Sequence, residues 1–353
     1  MNIAFFITSL RAGGAEKQLI TDINLLKEDV NNLFIIYYYE GEFSNNIGTI
    51  KKIKLKSTNY ISSIIEIRKI IRKYKINVLY SNLYRAMVIS AIASIFVDIK
   101  VVWDFHFHLY DVSKVHYFLL YLLSKLKKVK KLIFVCHELK KYYENRNLVF
   151  PKSKLEVIYN STELNYNPNE ISNKKNKEII IGYVGRIVKL KRVFFLLELV
   201  EYLLSENITN FKVQIIGEGE DRKFLEQYVT EHKLTNYVQF LGFQSNVEKF
   251  YSCFDLFILP SREECLPISL INAGVSGIPS IAFDVGGNNE IIINEITGFI
   301  VSNKEEMFKK AALLIQDSNL RKKMGKESVN YCCKVFDKEN RRKKLLDLII
   351  NIQ

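Results

Sequence analysis

Continuous apolar runs that alternate with helical segments constrain this chain more than any other feature. Residues 2–8 (NIAFFIT), 100–106 (KVVWDFH) and 254–260 (FDLFILP) are runs of this kind. A strand buried on both faces of a parallel sheet has such a composition, because neither face meets water. Strands that alternate with helices are typical of doubly wound α/β folds. We therefore predict parallel sheets flanked by helices, with ligand-binding groups at the carboxyl ends of the strands.

The strand-and-helix pattern occurs twice along the 353 residues. Between the two occurrences, residues 165–177 (NYNPNEISNKKNK) are polar and lack periodicity, as is typical of a linker. We predict a first Rossmann-like domain over residues 1–163, a linker over 164–177 and a second Rossmann-like domain over 178–335. We expect a final helix over 336–353 to cross back to the first domain, because one of its sides is apolar: Leu345, Leu348 and Ile349.

The charge balance is basic, with 51 Lys and Arg against 38 Asp and Glu, which gives a formal net charge of +13. Such a surplus fits an anionic ligand, an anionic membrane surface, nucleic acid or a compositional bias without function. The positive charge is spread along the chain, and no basic–aromatic module is present. We therefore do not expect nucleic-acid binding.

Cysteine usage and the first residues bear on the compartment. The five cysteines include no CxxC pair, which indicates reduced thiols. The start MNIAFFITSL lacks the basic region and cleavage pattern of a signal peptide. No apolar stretch reaches the ~18 residues that a membrane-spanning helix needs. These features predict a cytoplasmic protein.

Two features of the first domain suggest a ligand site. Gly13 and Gly14 stand between the first strand and a helix, where glycines let backbone N–H groups approach a phosphate or a sugar. A simple strand-to-helix turn is the alternative interpretation. His106 falls at the carboxyl end of its strand, where catalytic groups lie in such sheets. His108 is two positions away with no obvious third ligand, so the pair is weak evidence for a metal.

Residues 114–134 combine an apolar stripe with a basic end. The stripe consists of Val115, Phe118, Leu119, Leu122 and Leu126, and the basic cluster consists of Lys125, Lys127, Lys128, Lys130 and Lys131. An amphipathic helix with these properties fits an anionic lipid surface. A core helix with a solvated basic end is the alternative.

Residues 260–287 form the segment around which the second domain is organised. A polar loop follows the strand at 254–260, a helical pattern runs on to Val275, and a second short strand at 279–284 leads to Gly286 and Gly287. Glu264 and Asn272 are eight positions apart, so both face one side if the helix starts early. A helix N-terminus at the carboxyl end of a strand favours an anionic ligand.

Several segments together resemble the retaining GT-B glycosyltransferases of glycosyltransferase family 4. They are GGAEK at 13–17, the strand ending in His106, IYNSTE at 158–163, GYVGRIVKLK at 182–191, and residues 260–287. They follow the family's order over nearly the whole chain. The resemblance implies the GT-B fold, in which two Rossmann-like doubly wound domains face each other across a cleft. It also implies that the first domain mainly holds the acceptor and the second mainly holds a nucleotide-sugar donor.

The resemblance assigns expected roles to individual residues. Arg186 and Lys191 would bind the donor diphosphate, and Glu264 would contact the donor sugar. Gly13 and Gly14 would close over the phosphates and the sugar, and His106 would lie beside the sugar as a catalytic residue. The remaining donor contacts would be backbone N–H groups at Cys265, Leu266 and Ile268, and the backbone near Phe243 beside the base.

Three positions depart from the family pattern. The family has a second glutamate, usually on the nucleotide ribose, where this chain has Asn272, and an amide lacks the charge-assisted strength of a carboxylate. Pro267 and Ser161 stand where glycine is common, and Pro267 supplies no N–H. These changes affect the expected donor identity and affinity more than the reaction class.

The resemblance implies no required metal or other cofactor, and the sequence has no DxD-type cluster. Fixed cations and a helix N-terminus can instead neutralise a departing nucleotide diphosphate, each contributing roughly 2–4 kcal/mol in a dry cleft.

We expect a retaining hexosyltransferase that moves a sugar from a nucleotide-sugar donor, a UDP-sugar, to a saccharide or lipid-linked saccharide. The pathway would be surface polysaccharide biosynthesis (capsule, O-antigen or exopolysaccharide), at the inner face of the cell membrane. Two alternatives remain open. One is a nucleotide-sugar epimerase of the same architecture, and the other is a non-catalytic nucleotide-sugar binding or assembly protein.

Overall fold

The computed structural model describes residues 1–44, 47–48, 50–107, 113–146, 149–164 and 178–352. The chain divides into two compact units, unit 1 (Met1–Ser161 with Lys338–Gln353) and unit 2 (Thr162–Asp337). The divisions fall two residues before the expected boundary at 163 and two residues after the one at 335. All of the expected linker except residue 164 lies outside the described residues.

Unit 1 is built on a parallel sheet with the order β3-β2-β1-β4-β5-β6-β7 in the described part of the chain. The strands are β1 (Asn2–Phe6), β2 (Asn32–Tyr37), β3 (Lys51–Lys54), β4 (Val78–Asn82), β5 (Lys100–Phe105), β6 (Val129–Phe134) and β7 (Leu155–Val157). Each neighbouring pair is parallel, so the carboxyl ends of the strands meet at one edge. β3 (KKIK) was not predicted, because this edge strand is mostly exposed and lacks an apolar run.

The helices that cover this sheet are α1 (Gly14–Leu26), α2 (Tyr60–Tyr74), α3 (Tyr84–Ser94), α4 (Lys114–Ser124) and α5 (His137–Glu144). The ends of α2 show why it forms where it does. The Asn59 side chain accepts hydrogen bonds from two N–H groups of the first turn, and Lys75 ends the helix with a left-handed φ of 49°.

The expectation that the lysines of residues 114–134 form the basic end of one helix is wrong. α4 ends at Ser124, and β6 begins at Val129. Lys125, Lys127 and Lys128 therefore lie in the connecting turn, and Lys130 and Lys131 lie in the strand. Residues 129–134 form a strand and not a continuation of the helix, because the strand buries its apolar residues fully in the sheet: Val129, Leu132, Ile133 and Phe134.

Unit 2 contains a second parallel sheet, with the order β10-β9-β8-β11-β12-β13 among its described residues. Its strands are β8 (Ile179–Val184), β9 (Phe211–Ile216), β10 (Val238–Gly242), β11 (Leu256–Leu259), β12 (Ser280–Phe283) and β13 (Gly298–Val301). Its helices are α6 (Phe194–Ser205), α7 (Arg222–Glu231), α8 (Glu248–Tyr251), α9 (Ile268–Val275), α10 (Asn288–Ile291), α11 (Lys304–Gln316) and α12 (Ser318–Val335). The two parallel sheets confirm the predicted α/β class.

The last helix, α13 (Lys338–Asn351), belongs to unit 1. Its apolar side chains Leu345, Leu348 and Ile349 are buried in the same core cluster as Leu19 and Ile23 of α1. This packing explains the apolar stripe in the sequence. None of the helices in the described part of the chain has the length and apolar composition needed to span a bilayer.

Candidate active site

The polar loop that follows β8 carries both predicted cations of unit 2. Lys189–Lys191 form a short 3-10 turn, which Arg192 closes with a left-handed φ of 48°. The Lys191 Nζ lies 2.5 Å from Oε1 of Glu264, and these two side chains are only 18% and 9% exposed. Arg186, five residues earlier in the loop, is exposed. The structure therefore brings Lys191 and Glu264 together and leaves Arg186 accessible.

A buried phenol supports the start of this loop. The Tyr183 hydroxyl donates a hydrogen bond to the Arg186 backbone carbonyl at 2.8 Å. Burial, reinforced by the Glu264 charge, raises the pKa of Tyr183 well above its usual value, although Arg186 acts in the opposite direction. Tyr183 is therefore a neutral donor at physiological pH. Its hydroxyl also explains Gly185, where an added Cβ would lie 2.8 Å from that oxygen.

Backbone contacts hold three loops of unit 2 together at the carboxyl ends of their strands. The Arg262 N–H donates to the Leu190 carbonyl at 2.8 Å, and the Gly287 N–H donates to the Cys265 carbonyl at 2.7 Å. Gly286 has a φ of +53°, and a Cβ at that position would lie 1.8 Å from the Glu264 carbonyl oxygen. Glycine is thus required where the loop after β12 passes the residue that pairs with Lys191.

Glu264 and Asn272 do not share a helical face, because the early helix start on which that prediction depended does not occur. α9 begins at Ile268, so Glu264 lies in the preceding loop. Pro267 occupies the N-cap position with φ −73° and ψ 119°. A proline disfavours helical geometry in the residue before it, and so the helix does not extend back through Leu266.

Asn272 has a partner that the sequence did not indicate. Asn272 is only 7% exposed, and its side-chain Oδ1 accepts a 2.6 Å hydrogen bond from the Thr162 hydroxyl. The same hydroxyl accepts from the Leu164 N–H at 2.9 Å. Asn272 therefore anchors the first residues of unit 2, in the position where the family pattern has its second glutamate.

The other predicted donor contacts of unit 2 differ in exposure. The Leu266 side chain is buried, so any ligand contact of this residue would come from its backbone. Cys265 and Ile268 are half-buried. Phe243 is 40% exposed and directly follows Gly242, which has a φ of +67° at the end of β10.

In unit 1, the two glycines mark the start of α1. Gly13 is the extended N-cap residue and supplies no side-chain cap, and Gly14 begins the helix. An added Cβ on Gly14 would meet no atom within 4 Å. Packing within the described residues therefore does not require glycine at position 14.

His106 lies one residue beyond β5, as its position at the strand end predicted. Its side chain is 5% exposed, and its Nε2 lies 3.0 Å from Oδ2 of Asp104. Burial on its own would raise the pKa of Asp104, but the charges of His106 and Arg341 and a hydrogen bond from Tyr80 hold it below the ordinary value. Asp104 is therefore ionised and faces the imidazole.

His108, the other histidine considered for a metal, lies outside the described residues. Among those that are described, no three His, Cys, Asp or Glu side chains are grouped so that they could hold a metal ion.

Sequence reasoning missed a buried ionic cluster in unit 1. Arg341 of α13 is 2% exposed and forms a bidentate ion pair with Asp22 of α1, with Nε and Nη2 at 2.6 and 2.7 Å from the carboxylate oxygens. A signal was available in the sequence. Arg341 stands four residues before Leu345, on the apolar stripe of its helix, where a lone arginine needs a buried partner.

Comparison with known proteins adds to this geometry. Two family models match consecutive parts of the chain, "Glycosyltransferase Family 4" over residues 42–166 and "Glycosyl transferases group 1" over residues 167–330. The UDP-Gal:alpha-D-GlcNAc-diphosphoundecaprenol alpha-1,3-galactosyltransferase of Escherichia coli is 24% identical over 94% of this chain and 89% of its own. The capsular polysaccharide biosynthesis glycosyltransferase CapM of Staphylococcus aureus is 25% identical over 86% and 83%.

Solved structures share the fold. Alr3699/HepE of Anabaena, solved in complex with UDP-glucose, superimposes with a TM-score of 0.87 at 20% identity, covering 99% of this chain and 100% of that one. WaaG, a glycosyltransferase involved in lipopolysaccharide biosynthesis, superimposes with a TM-score of 0.77 at 15% identity, covering 98% and 99%.

Two Rossmann-like units with parallel sheets, and polar loops at the carboxyl ends of the strands, define a GT-B glycosyltransferase. The chain belongs to glycosyltransferase family 4, as the sequence motifs predicted.

Proposed function

We propose that this protein is a retaining, metal-independent hexosyltransferase that moves a sugar from a UDP-sugar to a lipid-linked saccharide during surface polysaccharide assembly. The Lys191–Glu264 pair carries the proposal, because a cation and a carboxylate that could accept hydrogen bonds from sugar hydroxyls lie 2.5 Å apart in unit 2. The names of relatives support the substrates, since one of them has a UDP-Gal donor and a diphosphoundecaprenol-linked acceptor. Retention of configuration and independence of metal are inferred from the family resemblance.

The proposed chemistry needs stabilisation of a departing nucleotide diphosphate. As the glycosidic bond of the donor breaks, about two negative charges develop on the leaving group, and Arg186 and Lys191 would neutralise them. Each well-placed cation in a dry site contributes roughly 2–4 kcal/mol, about 1.5 to 3 factors of ten in rate. Glu264 has two tasks in this scheme. It holds Lys191 in place, and it accepts a hydrogen bond from a hydroxyl of the donor sugar.

The remaining predicted residues receive proposed roles of the same kind. Gly13 and Gly14 would approach the donor, His106 would lie beside its sugar, and Phe243 would lie near its base. Backbone N–H groups at Cys265, Leu266 and Ile268 would contact phosphate. Asn272 would hold the Thr162 segment and, through it, the wall next to the ribose.

A donor screen followed by a transfer assay tests the proposed function. We expect UDP-sugars, and not GDP-sugars, to raise the melting temperature by several degrees, because a ligand at 100 times its Kd stabilises the folded state by about 2.7 kcal/mol. A diphosphopolyprenol-linked saccharide should then accept the sugar from the stabilising donor. Interconversion of the donor without acceptor would indicate an epimerase instead, and donor binding without transfer to any acceptor would indicate a binding protein.

We also propose that unit 1 contacts an anionic membrane surface through α4 and the turn that follows. Val115, Phe118 and Leu122 are 75%, 48% and 45% exposed, although they are large apolar side chains on one stripe of the helix. Lys125 and Lys127 are exposed just beyond it. This arrangement suits a helix that inserts apolar groups among anionic headgroups.

The lysines of the predicted basic cluster do not contribute equally to this proposal. Lys131 pairs with Glu156 at 2.9 Å, and Lys128 pairs with Asp98. Lys130 is half-buried in β6. Lys125 and Lys127 are therefore the residues to test.

Vesicle flotation measures this contact. The parent protein should bind vesicles that contain an anionic phospholipid, and binding should weaken as salt is raised. The Lys125→Glu/Lys127→Glu variant should bind at least tenfold more weakly, since each basic residue near the surface contributes about 1 kcal/mol. Lys322→Glu/Lys323→Glu, the same charge change on exposed residues of α12, is the matched control. Equal flotation of the two variants would contradict the proposed surface.

A further inference from the structure

We propose that Arg341 and Asp22 are positioning residues for His106, acting through the buried Asp104 carboxylate. This inference rests on the proposed function, in which His106 lies beside the donor sugar. It assigns a role in sugar transfer to the C-terminal helix α13, which carries none of the motifs that identify the family. Arg341, Asp22, Asp104 and His106 all lie in unit 1.

Arg341 is fixed in one orientation by four contacts. Its Nε and Nη2 bind the two oxygens of Asp22, and its Nη1 donates to the backbone carbonyls of Ile158 and Tyr159 at 3.1 and 2.6 Å. Asp22 in turn accepts a 2.9 Å hydrogen bond from the Gln18 side-chain amide. A guanidinium held by a bidentate carboxylate and two carbonyls has little freedom to rotate.

The same guanidinium reaches the carboxylate that faces His106. Arg341 Nη2 lies 3.7 Å from Oδ2 of Asp104. That oxygen also accepts hydrogen bonds from the Tyr80 hydroxyl at 2.8 Å and from the Asn82 amide at 3.4 Å. The His106 Nε2, at 3.0 Å, approaches the same oxygen. One carboxylate oxygen is therefore shared by Arg341, two strand side chains and the imidazole.

Strand geometry places Asp104 where it can act on His106. Asp104 lies in β5 and His106 directly follows the strand, two positions later, and alternate residues of an extended chain point to the same side. Tyr80 and Asn82 lie on the adjacent strand β4, where Asn82 pairs with Asp104 in the parallel register and Tyr80 pairs with Val102, two positions earlier. The backbone therefore fixes the carboxylate, and the carboxylate orients the ring.

The charges of the cluster explain how Arg341 could affect the His106 imidazole. Asp22 and Asp104 are two fully buried carboxylates, and Arg341 is a single buried cation between them. One cation leaves a net negative charge, and the His106 Nε2 faces the carboxylate that carries it. An ionised carboxylate at that nitrogen keeps a proton on Nε2 and leaves Nδ1 to exchange a hydrogen bond with a bound sugar.

Stability alone gives a weak reason for this cluster. Replacing a buried ion pair by apolar side chains of similar volume is often neutral or stabilising, because the charges no longer need desolvation. Among the described residues, Asp104 Oδ1 has no hydrogen-bond partner, and His106 Nε2 meets Asp104 Oδ2 at 3.0 Å as a close ionic contact without hydrogen-bond geometry. An arrangement that serves only the fold has no need for an unsatisfied carboxylate at the end of the strand that bears His106.

The test uses the full-length Asp22→Leu/Arg341→Met variant, which removes both members of the bidentate pair together. It also takes from Asp104 its 3.7 Å contact with Arg341. We expect it to fold and to bind the donor with a Kd within about twofold of the parent. Its kcat for transfer should fall at least tenfold, with a smaller change in KM. Arg341→Lys keeps the positive charge but loses the two-nitrogen contact with Asp22. Its kcat should therefore lie between those of the parent and the Asp22→Leu/Arg341→Met variant. Arg342→Met is the matched control, because Arg342 is the next residue and forms an exposed bidentate pair with Asp29.

A double-mutant cycle separates positioning from a general loss of stability. If the cluster acts through His106, adding Asp22→Leu/Arg341→Met to His106→Ala should lower kcat by less than twofold further. If the fold-losses in kcat caused by His106→Ala and by Asp22→Leu/Arg341→Met multiply in the combined variant, the proposal is overturned. An unchanged kcat in the Asp22→Leu/Arg341→Met variant would also overturn it.

An independent readout keeps this inference apart from the proposed function. The ¹⁵N chemical shifts of the His106 ring, assigned with a His106→Gln variant, report which nitrogen carries the proton. We expect the Nε2–H form in the parent and a mixture of forms in Asp22→Leu/Arg341→Met. An identical ring spectrum in both proteins would refute the positioning role even if no transfer activity is found, whereas failure of the donor screen alone would refute only the proposed function.

Discussion

Replacement of Arg186 by alanine should lower kcat by about 10²–10³-fold and leave the fold intact. The expected fall in kcat follows from the loss of one positive group that faces the negative charge developing on the nucleotide diphosphate. Such a loss costs about 3–4 kcal/mol in a preorganised site. The fold should survive because the Arg186 side chain is exposed and only its backbone carbonyl accepts the Tyr183 hydrogen bond. Transfer assays at saturating donor, with a melting curve of the same preparation, measure both effects.

Lys322→Ala provides the control for this experiment. It removes one positive charge from an exposed position of α12, also in unit 2, and should transfer sugar at the parent's rate. If Arg186→Ala retains near-normal turnover, Arg186 does not bind the donor diphosphate. The positive charge at the leaving group would then have to come from Lys191 alone.

Replacement of Gly286 by alanine should damage both stability and activity. The new Cβ would lie 1.8 Å from the Glu264 carbonyl oxygen, and the φ of +53° is unfavourable for any residue with a Cβ. We expect a loss of about 2 kcal/mol or more in the free energy of unfolding, which lowers the melting temperature by roughly 4–8 °C. The loop must shift to relieve the clash, and a displacement of ~1 Å at Glu264 is enough to reduce transfer about 10²-fold.

Gly14→Ala is the stability control for this variant. No atom lies within 4 Å of the Cβ that it adds, and the residue begins a helix, where alanine is favoured. Its melting temperature should be unchanged or slightly higher. A Gly286→Ala protein that melts with the parent and transfers at the parent's rate would show that the backbone contact has no functional consequence.

Much of the fold could be predicted from local patterns. Inner strands such as β1, β8 and β11 are continuous apolar runs because they are buried on both faces. The polar segment after residue 164 separates the strands of the two sheets. β3 was missed because the edge strand KKIK has one apolar residue and gains its order from pairing with β2. The turn after Ser124 was missed because a lysine-rich segment with intervening apolar residues fits a helix and a strand equally well.

The site could be predicted where the motif is local and not where it depends on distant residues. Lys191 and Glu264 are 73 positions apart, and they were linked only through the family resemblance, which the two family models support. The start of α9 could have been predicted from Pro267. The contact between Thr162 and Asn272 spans 110 positions, and the one between Asp22 and Arg341 spans 319. No local pattern contains such pairs, because side-chain partners of this separation are set by packing.

The return of α13 to unit 1 has a consequence for biosynthesis on the ribosome. Unit 2 is contiguous, so all of it has been synthesised once residue 337 has emerged. Unit 1 begins first, yet it waits for residues 338–351 to fill its core, and until then Asp22 is a carboxylate without its guanidinium partner. We expect unit 1 to complete its folding after unit 2, although its strand β1 is synthesised before any residue of unit 2. A nascent chain that is stopped before residue 338 should therefore protect unit 2 from protease better than unit 1.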